Sequence, residues 1–225
     1  MNGRDTILPH VRKALAAKTC ESVRGAEEPM PDAEAFRAWL PAVGRDYKSH
    51  KRLFAEHATA LRTDFRVVAD REAMLDEITR LAKAEGWKKV GSHGGALTDA
   101  ASNATALPIC RTDDGYDVGD LESCDAGISA CEALIAQTGS VLITSRSSGG
   151  RALSILPPHH VVLAKREQML PDMVAGYAML REKYGGTYPS LVSFITGPSR
   201  TGDVERILVL GAHGPKKLTV LLMES

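Results

Sequence analysis

The stretch Phe65-Arg-Val-Val-Ala-Asp-Arg-Glu-Ala-Met-Leu-Asp-Glu-Ile-Thr-Arg-Leu-Ala-Lys-Ala-Glu-Gly-Trp-Lys-Lys-Val-Gly-Ser-His-Gly-Gly95 decides the fold class. It opens on the short apolar run Val67-Val-Ala69, continues with Leu75, Ile78, Leu81 and Ala82 at helical spacing, and stops at Gly86. A glycine one position past the last turn is a common helix ending, because only glycine enters the left-handed region without strain. Val90 then leads into a glycine-rich turn. Strand, helix, strand and turn begin a βαβ unit, and hence a sheet with parallel strands.

Downstream, Ala133-Leu-Ile-Ala136 and Val141-Leu-Ile-Thr144 flank Gln137-Thr-Gly-Ser140, the pattern of a β-hairpin. Ala152–Leu156 and Val161–Ala164 read as two further strands, separated by Pro157-Pro-His-His160. Leu170, Met173, Val174, Tyr177 and Leu180 mark an amphipathic helix, and Leu191–Ile195 and Leu218–Met223 two more strands. Apolar strands without alternation imply a sheet covered on both faces. The class is α/β, one mixed and mostly parallel sheet sandwiched by helices. The acidic, turn-rich segment Asn103–Ser123 is placed on the surface.

Upstream the periodicity is helical. Ile7, Leu8, Val11 and Leu15 mark a helix over residues 5–19, and Cys20–Pro31 is a loop. Phe36, Trp39, Leu40 and Val43, then Leu53, Phe54, His57 and Leu61, resume one face after Pro41. Residues 1–62 therefore read as a helical arm and residues 63–225 as the α/β domain. The arm packs on that domain or on a partner subunit, a homo-oligomer included.

Bulk properties narrow the function classes. The 225 residues carry 28 basic and 28 acidic side chains, so no global field attracts nucleic acid or anionic lipid. No run approaches the roughly 20 apolar residues of a membrane span, and Met1-Asn-Gly-Arg-Asp-Thr lacks a signal peptide's order. A cytoplasmic location is expected. Cys20, Cys110, Cys124 and Cys131 lack Cys-x-x-Cys and iron–sulfur spacing, and read as free, partly buried thiols.

Chemistry is concentrated in Thr196-Gly-Pro-Ser-Arg-Thr-Gly-Asp-Val-Glu205, which follows an apolar strand and precedes a short helix. Ser199 and Thr201 offer hydroxyls, Arg200 a fork of donors, and Gly197 and Gly202 allow close backbone approach. Asp203 completes the loop. With a helix start behind them, these groups suit a phosphate or carboxylate at a strand's carboxyl end. An ordinary turn, with Ser199 or Thr201 as a helix cap and Arg200 paired to Asp203, accounts for the same residues. Gly94 and Gly95 line the same crevice in one reading and form a tight βα connection in the other, favoured one. His159 and His160 face opposite ways in a strand and chelate poorly, so no metal is expected. His213, between glycines, is better placed for a site. Glu132, Asp203 and Glu205 are the candidate carboxylates for covalent transfer, but none stands in a nucleophile motif.

Gly197–Glu205, running into Leu208-Val-Leu-Gly-Ala-His-Gly-Pro215, resembles the C-terminal signature of the lactate utilization protein C family, of the LUD-domain group. Leu134–Leu142, Leu156–His160 and the opening Asp5–Leu15 resemble further segments of it. The resemblance implies a fold similar to the NagB/RpiA/CoA-transferase group. It also implies a role in oxidising L-lactate to pyruvate, beside partner proteins that hold the iron–sulfur clusters, with no cofactor in this chain. The family's hairpin usually reads Ala-Glu-Thr-Gly, whereas Gln137 stands here, beside Thr138 and Gly139; this lowers the case for a carboxylate nucleophile at that turn. Two rivals are carried forward: a stand-alone enzyme of CoA-transferase or isomerase type acting on a phosphorylated or CoA-linked small acid, and an assembly factor working through the arm.

Overall fold

The computed structural model describes residues 42–225 except 114, 203–207 and 212, together with Pro9 and Lys13, both helical. The rest of the expected helix 5–19 and the segment up to Pro41 lie outside the described residues. Contact clustering starts the compact unit at Ala42.

In chain order its elements are α1 (Tyr47–Ala60), β1 (Asp64–Val68), α2 (Arg71–Glu85), β2 (Val90–Ser92), α3 (Ala96–Ala104), β3 (Ile109–Arg111) and α4 (Val118–Glu122). Then come β4 (Ala126–Ala130), β5 (Ala133–Ile135), β6 (Ser140–Thr144), β7 (His159–Lys165), β8 (Met169–Leu170) and α5 (Met173–Tyr184). The chain closes with β9 (Val192–Ile195), β10 (Arg200–Gly202), β11 (Leu208–Leu210) and β12 (Lys217–Met223). Local chemistry sets the helix limits. Asp46, Asp70 and Asp172 cap α1, α2 and α5 by accepting from the backbone N–H three residues on. Gly86 ends α2 at φ 67° and Gly185 ends α5 at φ 54°, both left-handed.

The main sheet has the order β1-β12-β7-β4-β2-β3, and every pairing in it is parallel. A second sheet, β8-β5-β6-β9, holds the expected hairpin β5–β6. The α/β class holds, but among the described residues the strands form three sheets, the third being β10–β11, because the hairpin turns out of the parallel plane instead of extending it.

β7 shows how the layers form. Val161 and Leu163 face Met74, Ile78 and Leu81 of α2 and Ala101 of α3. Val162 and Ala164 face the opposite way, onto Phe54 and Ala58 of α1 and onto Leu134, Val141 and Ile143 of the second sheet. The outer face of that sheet, through Ala133, Ile135 and Leu142, is covered by Leu180 and Tyr184 of α5. Period-two alternation, with both sides apolar, is the physical content of a sheet buried on two faces. The part of the expected arm within α1 thus packs on the α/β domain.

One expectation fails. Ala152–Leu156 is a turn, with the N–H groups of Ile155 and Leu156 both bonded to the Ala152 carbonyl at 2.9 Å. Leu153 is fully buried there, and a Cβ on Gly127 would lie 2.5 Å from its carbonyl oxygen. An apolar run that plugs a hole between glycines has no need to be a strand. The start of the helix expected after the Gly197–Asp203 loop lies outside the described residues; within the loop, Arg200–Gly202 is β10 and pairs antiparallel with β11. Asn103–Ser123 is mostly exposed, as read, though it carries β3 and α4 and buries Cys110 and Leu121.

Candidate functional site

The Gly197 loop is positioned by three elements that meet at the end of α1. Arg200 Nη2 donates to the Leu61 carbonyl at 2.5 Å, and a Cβ on Gly197 (φ 90°) would lie 2.9 Å from the same oxygen. The hairpin tip arrives from the other side, with Ser140 Oγ 2.7 Å from both Thr138 Oγ1 and Thr196 Oγ1. Gly139, at φ 65°, leaves no room for a side chain against His57. Ser199 donates its N–H to the Pro215 carbonyl at 2.9 Å and accepts that of Gly211 at 3.0 Å, tying the loop to the His213 segment. Gly197, Ser199, Thr138, Gly139 and His213 are therefore gathered into one region.

This region borders a cavity of about 160 Å³ walled by Ser154, His160, Ser193, Ser199, His213 and Leu218, among others. It lies at the amino ends of β7 and β12. The Gly197 loop follows the carboxyl end of β9, but β9 is an edge strand of the second sheet, so the loop does not stand at the carboxyl ends of the main sheet.

His160 is the buried polar group of the wall, with none of its surface exposed. Its Nε2 lies 2.8 Å from Ser129 Oγ, and Ser129 donates its single proton to the Ala130 carbonyl at 3.1 Å. With the serine proton on that carbonyl, the ring proton sits on Nε2 and Nδ1 is an acceptor; Nδ1 is buried without a partner among the described residues. Burial, reinforced by neighbouring His159, pushes the ring's pKa down to about 3, so it is neutral at physiological pH. Among the described residues no lysine or arginine lines this cavity. Such a wall suits an uncharged, hydroxyl-bearing part of a ligand.

Arg200 does not reach the cavity, being committed to Leu61. We expect Arg200→Ala to lower the urea midpoint by the equivalent of roughly 1 kcal/mol, as one charge-assisted hydrogen bond across 139 residues is lost. An unchanged midpoint would show that the clamp carries no stability. Side-chain placement of Thr201 and Gly202, and all of Asp203 and Glu205, lie outside the described residues.

Gly94 and Gly95 sit at the opposite end of the sheet, between β2 and α3. Their N–H groups are already taken by carboxylates, Gly94 by Asp113 and Gly95 by Asp99 at 3.1 Å. This is the tight βα connection. Gln137 anchors the other side of the hairpin, its N–H donating to Pro171 at 2.9 Å.

Glu132 follows β4, at the far end of the hairpin from the cavity. Only 8% exposed, it accepts from Thr144 Oγ1 at 2.8 Å, Tyr184 OH at 2.5 Å and Lys183 Nζ at 2.5 Å. Burial alone would raise its pKa, but these three donors outweigh it and hold the carboxyl below its ordinary value. Cys110, Cys124 and Cys131 are free and buried, and burial raises each thiol's pKa, that of Cys124 to about 12. They are unreactive as thiols. Among the described residues no cluster of three His, Cys, Asp or Glu could hold a metal, and no helix is long and apolar enough to cross a membrane.

Residues 119–223 match the LUD domain family model. Among curated relatives, a protein of Geobacillus kaustophilus (strain HTA426) named lactate utilization protein C is 35% identical over 104 residues, covering 45% of this chain and 43% of that protein. Its namesake in Shouchella clausii (strain KSM-K16) is 27% identical over 175 residues, 75% of this chain and 76% of its own length. The one in Bacillus subtilis (strain 168) is 27% identical over 177 residues, 74% of this chain and 73% of its own. The similarity to the Geobacillus protein thus spans less than half of that protein's length. A DUF162 family protein from Deinococcus radiodurans shares the fold, with a TM-score of 0.61 over 80% of this chain and 99% of that one, at 16% identity.

From the sequence, His160 stood out only as a poor metal chelator beside His159. The signal available was its place at the start of a fully apolar strand, where a polar ring must either find partners or present an atom to a cavity.

Proposed function

We propose that this chain serves L-lactate utilization as a component without a redox centre of its own, beside separate proteins that carry iron–sulfur clusters. In this reading it binds a small hydroxyl-bearing ligand against His160, Ser199 and His213. The supporting observation is one of position: every residue walling the cavity lies within the LUD match of residues 119–223, the region that defines kinship with proteins named for lactate utilization.

The test is genetic. Deletion of the gene is expected to abolish growth on L-lactate but not on pyruvate, with rescue by the wild-type gene. Ser199→Phe, which fills the cavity from its rim, should fail to rescue while melting within a few degrees of wild type. Undiminished growth of the deletion strain on L-lactate would overturn the pathway assignment, and full rescue by a folded Ser199→Phe would overturn the cavity's role.

One observation favours a second reading, an enzyme of CoA-transferase or isomerase type: an ionised, nearly buried carboxylate, Glu132, standing just past a strand's carboxyl end. Against it, both oxygens are already occupied by Thr144, Tyr184 and Lys183. Thermal-shift screening with CoA esters and sugar phosphates separates the readings. Stabilisation lost in Glu132→Gln would support the enzyme, and an unresponsive panel would reject it.

A further inference from the structure

A second cavity, of about 260 Å³, lies at the same amino end of the main sheet, and shares Pro198 and Leu218 with the first as a common wall. Its character is different. Arg62, Lys216 and Lys217 line it, together with Asp64, Glu85, His159 and Thr219. Both carboxylates are neutralised by ion pairs, Asp64 with Arg66 and Glu85 with Lys217, each at 2.5 Å. Arg62 and Lys216 have no such partner among the described residues. The charge facing the cavity is therefore net positive, and it is unspent.

The interior wall adds a second, independent observation. His159 is 4% exposed and its Nδ1 is buried with no hydrogen-bond partner. Its Nε2 lies 2.8 Å from Thr219 Oγ1, which in turn is 3.4 Å from an Asp64 oxygen. Two proton arrangements satisfy this chain. With the proton on Nε2, the ring donates to Thr219, Thr219 makes a long bond to Asp64, and Nδ1 is a bare acceptor. With the proton on Nδ1, Thr219 donates to Nε2 through the short contact, and Nδ1–H is a donor that lacks only an acceptor. The described residues supply none, and a buried donor left unmatched is unfavourable. An anionic oxygen in the cavity would remove that cost and be attracted by Arg62 and Lys216 together.

We propose that the Arg62–His159–Lys216 cavity is an anion-binding site for a carboxylate or phosphate group, separate from the His160 cavity across Leu218. His159 and His160, adjacent in sequence, thus serve opposite faces of β7: one offers an acceptor to a hydroxyl, the other a donor to an anion. Binding selects the His159 tautomer protonated at Nδ1. This assignment does not depend on the lactate reading, since it concerns other residues and another readout.

The experiment is an NMR titration of the full chain labelled with ¹⁵N-histidine, at constant ionic strength set by chloride. Inorganic phosphate and acetate are added in separate arms. A saturable change of the His159 ring nitrogens toward the Nδ1-protonated tautomer is expected, with the His160 nitrogens unmoved. Response to phosphate alone assigns a phosphoryl ligand, and response to acetate alone a carboxylate. In Arg62→Gln/Lys216→Gln the apparent affinity should fall at least tenfold. Both residues are exposed, so the fold should be retained, which an unaltered melting curve would verify. No saturable response in either arm, or an equal response in the double variant, would overturn the proposal.

Discussion

Glu132→Ala is expected to lower the unfolding free energy at neutral pH by roughly 3 kcal/mol, the cost of breaking a nearly buried ion pair and its hydrogen bonds. The carboxylate is the sole acceptor shown for the Lys183 ammonium and bonds Tyr184 OH, so its removal strands two donors. Lys183 is about half exposed and can turn to water, whereas Tyr184 OH is buried with only a 3.4 Å contact to Thr144 left. Most of the loss should therefore trace to the tyrosine. Tyr184→Phe combined with Glu132→Ala should then be less damaging than the two single losses added together. The pH dependence has a definite sign. Because the folded pKa of Glu132 lies below its ordinary 4.5, its contribution is complete above that value. The contribution is lost as pH falls through the lowered folded value. Urea curves of wild type and Glu132→Ala should draw together as pH falls below the ordinary carboxyl range; equal midpoints already at neutral pH would show that the network adds nothing.

The same cluster illustrates what the chain discloses in advance and what it conceals. Helix limits, the β5–β6 hairpin and the opening βαβ unit were legible because their causes are local: Asp70 and Gly86 cap α2 from within its own sequence. The place of β12 was not. The last strand of the chain inserts between β1 and β7, a register decided by which apolar faces meet, with Asp64 opposite Thr219 and His159 opposite Lys217. That insertion builds the anion cavity, since it brings Arg62 and Asp64 beside Lys216 and Lys217 from more than 150 residues away. Charges scattered so far apart carry no motif. Arg200 shows the reverse error. Its setting among glycines and hydroxyls looks like an anion cradle, yet its partner is a carbonyl at the end of α1. Composition near a residue says what it can bind, while the fold decides whether a competitor has reached it first.

Gly139→Ala should be the most damaging single methyl added near the candidate site. At φ 65° any side chain pays for the left-handed conformation, about 1–2 kcal/mol. The added Cβ would also lie 2.7 Å from His57 Cβ and 3.3 Å from the His57 carbonyl carbon, so α1 itself must move. We expect a total loss of about 3 kcal/mol or more. Gly186→Ala is the matched control, because Gly186 has φ 90° and open space around it, leaving conformational strain alone. The difference between the two variants in urea unfolding isolates the contact of the hairpin tip with α1. Movement of α1 has a second consequence. Leu61, at its end, holds Arg200 and abuts Gly197, and Gly197 and Ser199 form one wall of the His160 cavity. Gly139→Ala should therefore weaken ligand binding there beyond what Gly186→Ala does, although residue 139 does not line the cavity. Equal losses of stability in the two variants would mean that the hairpin tip does not bear on α1 as the geometry requires.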